Sequence, residues 1–252
     1  MNLQRSLRVA AVSMGLAFSS AAALTAVAQP RDEVDPGQAV SETVVDIAGW
    51  VIASGDNRGL PFAIVDKGAA QVLVFGADGK LKGLAPALIG SAKGDDSAPG
   101  VGDRELKDIP MKDRTTPAGR FLAAYGPATG GQRVLWVDYA TAVSIHPLAS
   151  SNRAEKREER LASPKPDDNR ITHGCINVSA EFYDKIVKAT FAKGGVFYVL
   201  PDEMTLAEAF PGYATPSLLA SLAQVAKIVS YNAATTPPVK SPAKAPAREA
   251  SR

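Results

Sequence analysis

Cysteine occurs once in the 252-residue chain, at position 175, inside the run Thr172-His173-Gly174-Cys175-Ile176-Asn177. The chain has two histidines. His173 is in that run, and His146 lies upstream at the end of an apolar, strand-like stretch. A lone thiol with imidazole nearby is the minimum equipment of a thiolate nucleophile. Gly174 lets the backbone come close to a substrate, and it leaves room for the amides around Cys175 to point at a developing oxyanion. His146 or His173 can take the proton that the thiol gives up. Asn177 and Thr172 offer an amide and a hydroxyl, either to the loop itself or to a substrate. Cys175 falls just before a predicted helix, whose N-terminal field favours a thiolate. Arg170 reads as a solvated side chain. The same His146, His173 and Cys175 are also three candidate zinc ligands, although no fourth ligand is evident and a His-x-Cys spacing is cramped.

Residues 1–28 read as a secretory signal. Arg5 and Arg8 form a positive start, Val9 to Thr25 is small and apolar, and Ala26-Val27-Ala28 fits a small-x-small cleavage site. The alternative is an uncut membrane anchor, for which the uninterrupted apolar runs are short, and no later segment is long and apolar enough to span a bilayer. The full chain has 28 basic and 26 acidic side chains; cleavage removes two basic and no acidic ones, leaving 26 of each. A neutral mature chain has no global field to attract nucleic acid. With one sulfhydryl it cannot form an internal disulfide, and a free thiol in an oxidising compartment points to use of its chemistry.

The elements that must position Cys175 read as one domain over 42–201. A polar lead covers 29–41. A helix follows over 42–53, with Val44, Val45, Ile47, Ala48, Val51 and Ile52 near helical spacing. Short apolar runs at 62–66 and 71–75 read as strands, and Asp78-Gly79 marks a hairpin turn before Leu81, with 84–89 continuing the strand. Residues 91–103 form a Gly- and Asp-rich loop. Residues 115–121 read as a turn feeding a strand through Ala124, and further strands follow over 134–139 and 142–145, the last delivering His146. The charged insertion 152–169 is either a solvated surface loop or a flap beside the site, since it lies between the two histidines. A helix is predicted over 179–192 with Ser179 as its N-cap, then a last core strand over 196–200. Residues 202–234 form a C-terminal helical extension, with Leu218, Leu222, Val225 and Val229 at helical spacing. Residues 235–252 form a basic Pro/Ala-rich tail expected to be disordered.

The hexapeptide resembles the signature of the L,D-transpeptidases of the YkuD family: Ser or Thr, His, Gly, Cys, a hydrophobe, then Asn or Arg. Thr116-Pro117-Ala118-Gly119-Arg120-Phe121 is similar to that family's Thr-Pro-x-Gly-x-Phe segment, and Ile145-His146 to its first histidine. The resemblance covers 62–200. It implies a mainly β fold with a few α-helices and a mixed, curved sheet, sandwich- or barrel-like. It implies that Cys175 attacks the L,D-amide of a peptidoglycan tetrapeptide stem, releases D-alanine as a thioester forms, and passes the acyl group to an acceptor amine. His146 is then the main proton carrier and His173 a helper. Gly174, with the Cys175 amide, serves the oxyanion, and Thr172 and Asn177 line the substrate side. The implied partners are peptidoglycan stem peptides, with envelope proteins as alternative acyl acceptors, and the implied site is the periplasm or cell envelope. No metal or organic cofactor is implied, and acylation of Cys175 by carbapenems is. The sequence departs from the family pattern at Pro147, where Gly or Ser is common, and in the longer gap from His146 to the hexapeptide.

Three further readings stay open on the residues alone. Water in place of an amine would make the protein an L,D-carboxypeptidase. The same residues are compatible with a zinc-binding protein and with a non-catalytic wall-binding module.

Overall fold

The computed structural model describes residues 40–128, 131, 133–148 and 152–213. The expected signal, most of the polar lead, the helix near 218–229 and the basic tail lie outside the described residues.

Helix α1, Glu42–Ser54, starts where Ser41 Oγ accepts from the Val44 amide and ends on Gly55 in the left-handed conformation. Its buried face is Val44, Ile47, Trp50 and Val51. Val45 and Ile52, expected on that stripe, face solvent instead, and Trp50 takes their place. Strands β1 (Phe62–Asp66), β2 (Gln71–Phe75) and β10 (Gly195–Val199) are buried at every residue. Alternation explains this. Phe62, Ile64, Leu73, Phe75, Val196 and Tyr198 pack toward α1, while Ala63, Val65, Val72, Val74, Phe197 and Val199 face the interior of the sheet.

The remaining strands are β3 (Leu81–Pro86), β4 (Ile89–Gly90), β5 (Gly119–Pro127), β6 (Arg133–Asp138), β7 (Val143–Pro147), β8 (Arg170–Thr172) and β9 (Ile176–Val178). Eight strands form one sheet in the order β3-β2-β1-β10-β5-β6-β7-β9. The β1–β10 and β7–β9 pairs are parallel and the others antiparallel. The two edges then meet. Just past β3, Leu88 exchanges both backbone hydrogen bonds with Asn177 of β9, each at 2.8 Å. The next residues form β4 and pair with β8. The protein is therefore mainly β, with a curved, nearly closed mixed sheet, as the resemblance implied.

Five short helices accompany the sheet among the described residues. They are α1, α2 (Arg157–Leu161), α3 (Ala180–Phe182), α4 (Lys188–Thr190) and α5 (Leu206–Ala209). A π-helical turn, Tyr183–Val187, joins α3 to α4. Ser179 caps α3 by accepting from the Phe182 amide. Phe182, Tyr183 and Val187 are buried against the interior core. Ala189, two residues past Val187, is exposed.

One end of the sheet holds a buried ionic network. Lys67 Nζ, with a fully buried side chain, donates to Asp95 Oδ1 at 2.8 Å, to Gly94 O at 2.7 Å and to Thr116 O at 3.1 Å. Asp95 also accepts from the backbone amides of Asp202, Glu203 and Met204. Arg170 is not solvated as expected. Its guanidinium pairs with both oxygens of Asp202, at 2.7 and 3.3 Å, and its side chain is only 8% exposed. Burial penalises the Asp95 carboxylate, but Lys67 and the three amides outweigh that and hold its pKa at about 2, below the ordinary 3.8. A carboxylate depressed on folding stabilises the protein above its unfolded pKa, and this contribution is lost as pH falls through the folded one. We expect Asp95 to contribute about 2 kcal/mol that disappears between pH 5 and 2. Denaturant titrations across that range check this: Asp95→Asn should flatten the slope, and an unchanged slope would count against it.

Candidate active site

Strand β7 places Ser144 and His146 on one face by the two-residue period of a strand. The loop between β8 and β9 brings Cys175 opposite them. The sulfur lies 3.6 Å from Ser144 Oγ and 3.6 Å from the Ala142 carbonyl, and the residue is half-buried. Burial by itself would raise the thiol pKa. The His146 imidazole more than offsets that, assisted by the Ser144 amide and hydroxyl, and holds it below the ordinary value. His146 responds in kind. Burial pulls its pKa down, yet the Cys175 sulfur and the Pro147 carbonyl lift it above the ordinary value, with the charge of Arg157 opposing. The two groups therefore titrate as a pair.

The source of thiol activation differs from the sequence expectation. Cys175 is followed by strand β9, and the helix begins only at Ala180, so no helix N-terminus meets the sulfur. The imidazole and the Ser144 groups take that role. Ser144 carries no signal of its own in the sequence beyond its position two residues before His146 on a predicted strand.

His146 is held by two contacts. Nδ1 lies 2.8 Å from the carbonyl oxygen of Pro147, and Nε2 lies 2.9 Å from Asn177 Nδ2. Asn177 Oδ1 accepts from Arg157 at 2.6 Å, which fixes the orientation of the amide. Asn177 Nδ2 also lies 3.5 Å from Nδ1, over the ring, and because the Pro147 carbonyl can only accept, the neutral ring carries its proton on Nδ1 and donates it there. Pro147 does not break the site. What its position supplies is a carbonyl, which proline retains.

The loop around the thiol is tied from two sides. Thr172 Oγ1 donates to the Cys175 carbonyl at 2.6 Å and accepts from the Gly174 amide at 3.1 Å. Thr116 Oγ1 donates to the Gly174 carbonyl at 2.8 Å and accepts from the Gly90 amide at 2.9 Å. Gly174 has φ +128°, and a Cβ there would sit 2.8 Å from the Thr115 carbonyl oxygen, so the close approach of the two motifs requires glycine. A Cβ at Gly90 would collide with the Arg114 carbonyl at 2.3 Å.

The hydrogen bonds bear on three of the expected roles, two of which the sequence left open between loop and substrate. The Gly174 N–H is engaged by Thr172 Oγ1 and is not free to meet an oxyanion in this arrangement. Thr172, 3% exposed, closes the loop turn rather than lining a substrate surface. Asn177 is fully buried, out of reach of a substrate, and positions the imidazole. His173 is half-buried in different company. Burial and the charges of Arg114 and Arg157 keep its pKa below the ordinary value, so it is neutral near pH 7. Among the described residues no group of three or more His, Cys, Asp or Glu side chains is arranged to hold a metal ion.

Two cavities of about 500 and 490 Å³ lie near the site, neither of them lined by Cys175 or His146. The first is lined by Leu148, Asn152, Arg153, Lys156 and Arg157; the second by Gly102, Pro127, Trp136, Tyr139 and Ala142. Arg157 reaches Asn177 from one side, and Ala142 touches the sulfur from the other. The insertion is therefore beside the site. It buries Leu161 and sends Arg157 inward.

The fold and the site together define a mainly β domain in which the Cys175 thiol loop and His146 are brought together. No protein-family model matches the chain, and no curated protein sequence does. Several solved structures are similar to it. An L,D-transpeptidase from Xylanimonas cellulosilytica aligns at 15% identity over 56% of this chain and 60% of its own, with TM-score 0.35. The helical cell shape determining protein Pgp2 of Campylobacter jejuni, a K307A mutant, aligns at 15% identity over 69% of this chain and 55% of its own, with TM-score 0.41. The catalytic domain of the E. faecium L,D-transpeptidase aligns at 20% identity over 55% of this chain and 95% of its own, with TM-score 0.31. The alignments thus span somewhat more than half the length of the first two.

Removing the imidazole should raise the thiol pKa. His146→Ala should cut iodoacetamide alkylation of Cys175 at pH 7 about tenfold or more, with activity returning as pH is raised. Alkylation at the wild-type rate would show that the imidazole is not what activates the sulfur. Thr116→Val keeps the shape but leaves the Gly90 amide and the Gly174 carbonyl without their shared partner. It should lower unfolding stability by about 1–3 kcal/mol in denaturant titrations.

Proposed function

We propose that the protein is an exported L,D-transpeptidase that works on peptidoglycan through a Cys175 thioester. The observation that carries this reading is the thiol of the Thr-His-Gly-Cys-Ile-Asn loop held against His146, with its pKa shifted down and that of the imidazole shifted up. In the first half-reaction, the thiol proton passes to Nε2 of His146 and sulfur attacks the carbonyl of the L,D-amide. Donation of that proton to the leaving amine releases D-alanine, and the acyl group stays on sulfur. In the second, His146 takes a proton from an acceptor amine, which attacks the thioester and returns the sulfur as thiol. The neutral Nδ1–H tautomer suits the first step, because Nε2 then has a lone pair to receive the proton. His173 assists from the same loop, and oxyanion stabilisation falls to donors other than the engaged Gly174 amide. The residues that fit a signal segment place the reaction in the periplasm or cell envelope.

Two cavities near the site, linked to it through Arg157 and Ala142, fit transfer better than hydrolysis. A transferase needs room for a donor stem and a second stem or an envelope protein, whereas water needs none. Incubation of the protein with tetrapeptide muropeptides should release D-alanine and give a cross-linked product by mass. Tripeptide alone would mean that water is the acceptor, and the absence of turnover would count against both reactions. A carbapenem should add its mass to the wild type and nothing to Cys175→Ala.

A further inference from the structure

The two cavities near the site differ in chemistry. The first is rimmed by charge, with Arg153, Lys156, Arg157, Glu158 and Glu159 lining it. The second is aromatic. Among its described lining residues Asp103 is the one charged side chain, and none is basic. Trp136 and Tyr139 supply its apolar surface, their rings meeting edge to face at 5.3 Å and 82°. Tyr139 is 72% exposed, more than any other large apolar side chain among the described residues. The pair is held firmly all the same. The indole N–H donates to the Pro127 carbonyl at 3.2 Å, and a Cβ at Gly126 would lie 2.8 Å from the ring, so bare backbone seats it. Tyr139 begins the turn between β6 and β7, whose ends are tied by the Ala142 amide donating to the Tyr139 carbonyl at 3.3 Å. Asp138 braces that turn, accepting from the Ala140 amide at 3.1 Å and from the Thr141 hydroxyl at 2.6 Å. At its far end Ala142 is left-handed, with φ +58°, and its carbonyl lies 3.6 Å from the Cys175 sulfur. Gly102 packs on the same turn with no room for a Cβ beside the Ala140 carbonyl, which brings the exposed Asp103 to the rim.

An aromatic floor with an acidic rim and no cation is a poor seat for a stem peptide, whose carboxylates would meet Asp103 without a counter-charge. It suits a neutral ring that lays a C–H face on the aromatic and donates hydroxyls to a carboxylate, which is a sugar. The reach fits as well. A four-residue turn spans less than about 7 Å between its end Cα atoms. Three residues of extended stem cover about 10 Å. A sugar seated on Tyr139 therefore presents the third residue of its own stem to the sulfur. We propose that the Trp136–Tyr139 cleft is a saccharide site that holds an N-acetylated sugar ring of a glycan strand, so that Cys175 acts on stems attached to sugar in preference to free peptides. The preference rests on the peptidoglycan reading of Cys175; the binding of sugar needs no reaction.

The chain has two tryptophans, and Trp50 is buried on α1, so Trp136 reports on the cleft. Chitotriose, a neutral trimer of N-acetylglucosamine, should give a saturable change in the tryptophan emission of the full protein, absent in Trp136→Phe. Tyr139→Ala should weaken this binding about tenfold or more. Leu81→Ala, at another exposed apolar residue at the start of β3, should bind as wild type does. In D-alanine release, KM for a disaccharide tetrapeptide should lie about tenfold below KM for the free tetrapeptide, and Tyr139→Ala should close that gap.

Should Tyr139→Ala fail to fold by circular dichroism, Asp103→Ala, which removes only the rim carboxylate, should weaken chitotriose about fivefold. Chitotriose binding that is undetectable in wild type, or unchanged in the folded variants, would overturn the proposal. So would a free tetrapeptide that perturbs Trp136 as fully as the disaccharide form does, since the occupant is then peptide. If chitotriose binds through Tyr139 while neither substrate is turned over, the transpeptidase reading fails and the saccharide site stands.

Discussion

The reciprocal backbone pair between Leu88 and Asn177 is the contact on which the site depends. It joins the segment leaving one edge of the sheet to the strand at the other edge. Closing the sheet this way buries Asn177 completely and points its amide at His146. Two residues past Leu88, Gly90 is pressed against 114–116, which brings the Thr116 hydroxyl to the Gly174 carbonyl. Imidazole, thiol loop and clamp are therefore set by one closure, although their residues are spread from 88 to 177 in the sequence.

Charge is distributed to match. At one end of the sheet Lys67, Asp95, Arg170 and Asp202 form a network in which nearly every donor and acceptor is used. Such a network is costly to desolvate and tolerable only when complete. One of its bonds goes from Lys67 Nζ to the carbonyl of Thr116, whose hydroxyl holds the carbonyl of Gly174. The buried cation thus stands two hydrogen-bonding residues away from the Cys175 loop. Stability of the fold and placement of the sulfur share these atoms, so a change in either is felt in the other.

Periodicity made most of the fold legible. The runs 62–66 and 71–75 appear as strands at those limits, and the Asp78-Gly79 turn lies between β2 and β3 with Gly79 at φ +74°. Scarcity made the thiol and the first histidine legible. What the sequence hid were roles that exist only after closure. Arg170 looks solvated in a row of charged residues, yet Asp202 meets it from 32 positions away. Ser144 is an ordinary strand polar residue until Cys175 faces it. The helix behind Cys175 starts on Ser179 as expected, but Ile176–Val178 form β9 and pair with β7, so its N-terminus does not reach the sulfur. The α1 stripe differs for a simpler reason. Val45 and Ile52 are apolar but stand on the outer side of the helix, where nothing covers them.

The departure at position 147 shows how such a site can change a residue and keep its chemistry. Strand β7 pairs with β6 only from Val143 to Ile145, so an amide at 147 has no partner waiting on that side. On the other side, the bond that extends the β7–β9 pairing is donated by Leu148 to the Val178 carbonyl. A proline at 147 therefore removes a donor the sheet does not use there, while its carbonyl still receives the Nδ1 proton of His146. The insertion likewise delivers one group to the site, the Arg157 guanidinium that donates to Asn177 Oδ1 at 2.6 Å. In both places the sequence departs in the segment while a single backbone or side-chain group still reaches a fixed point beside His146 or Asn177.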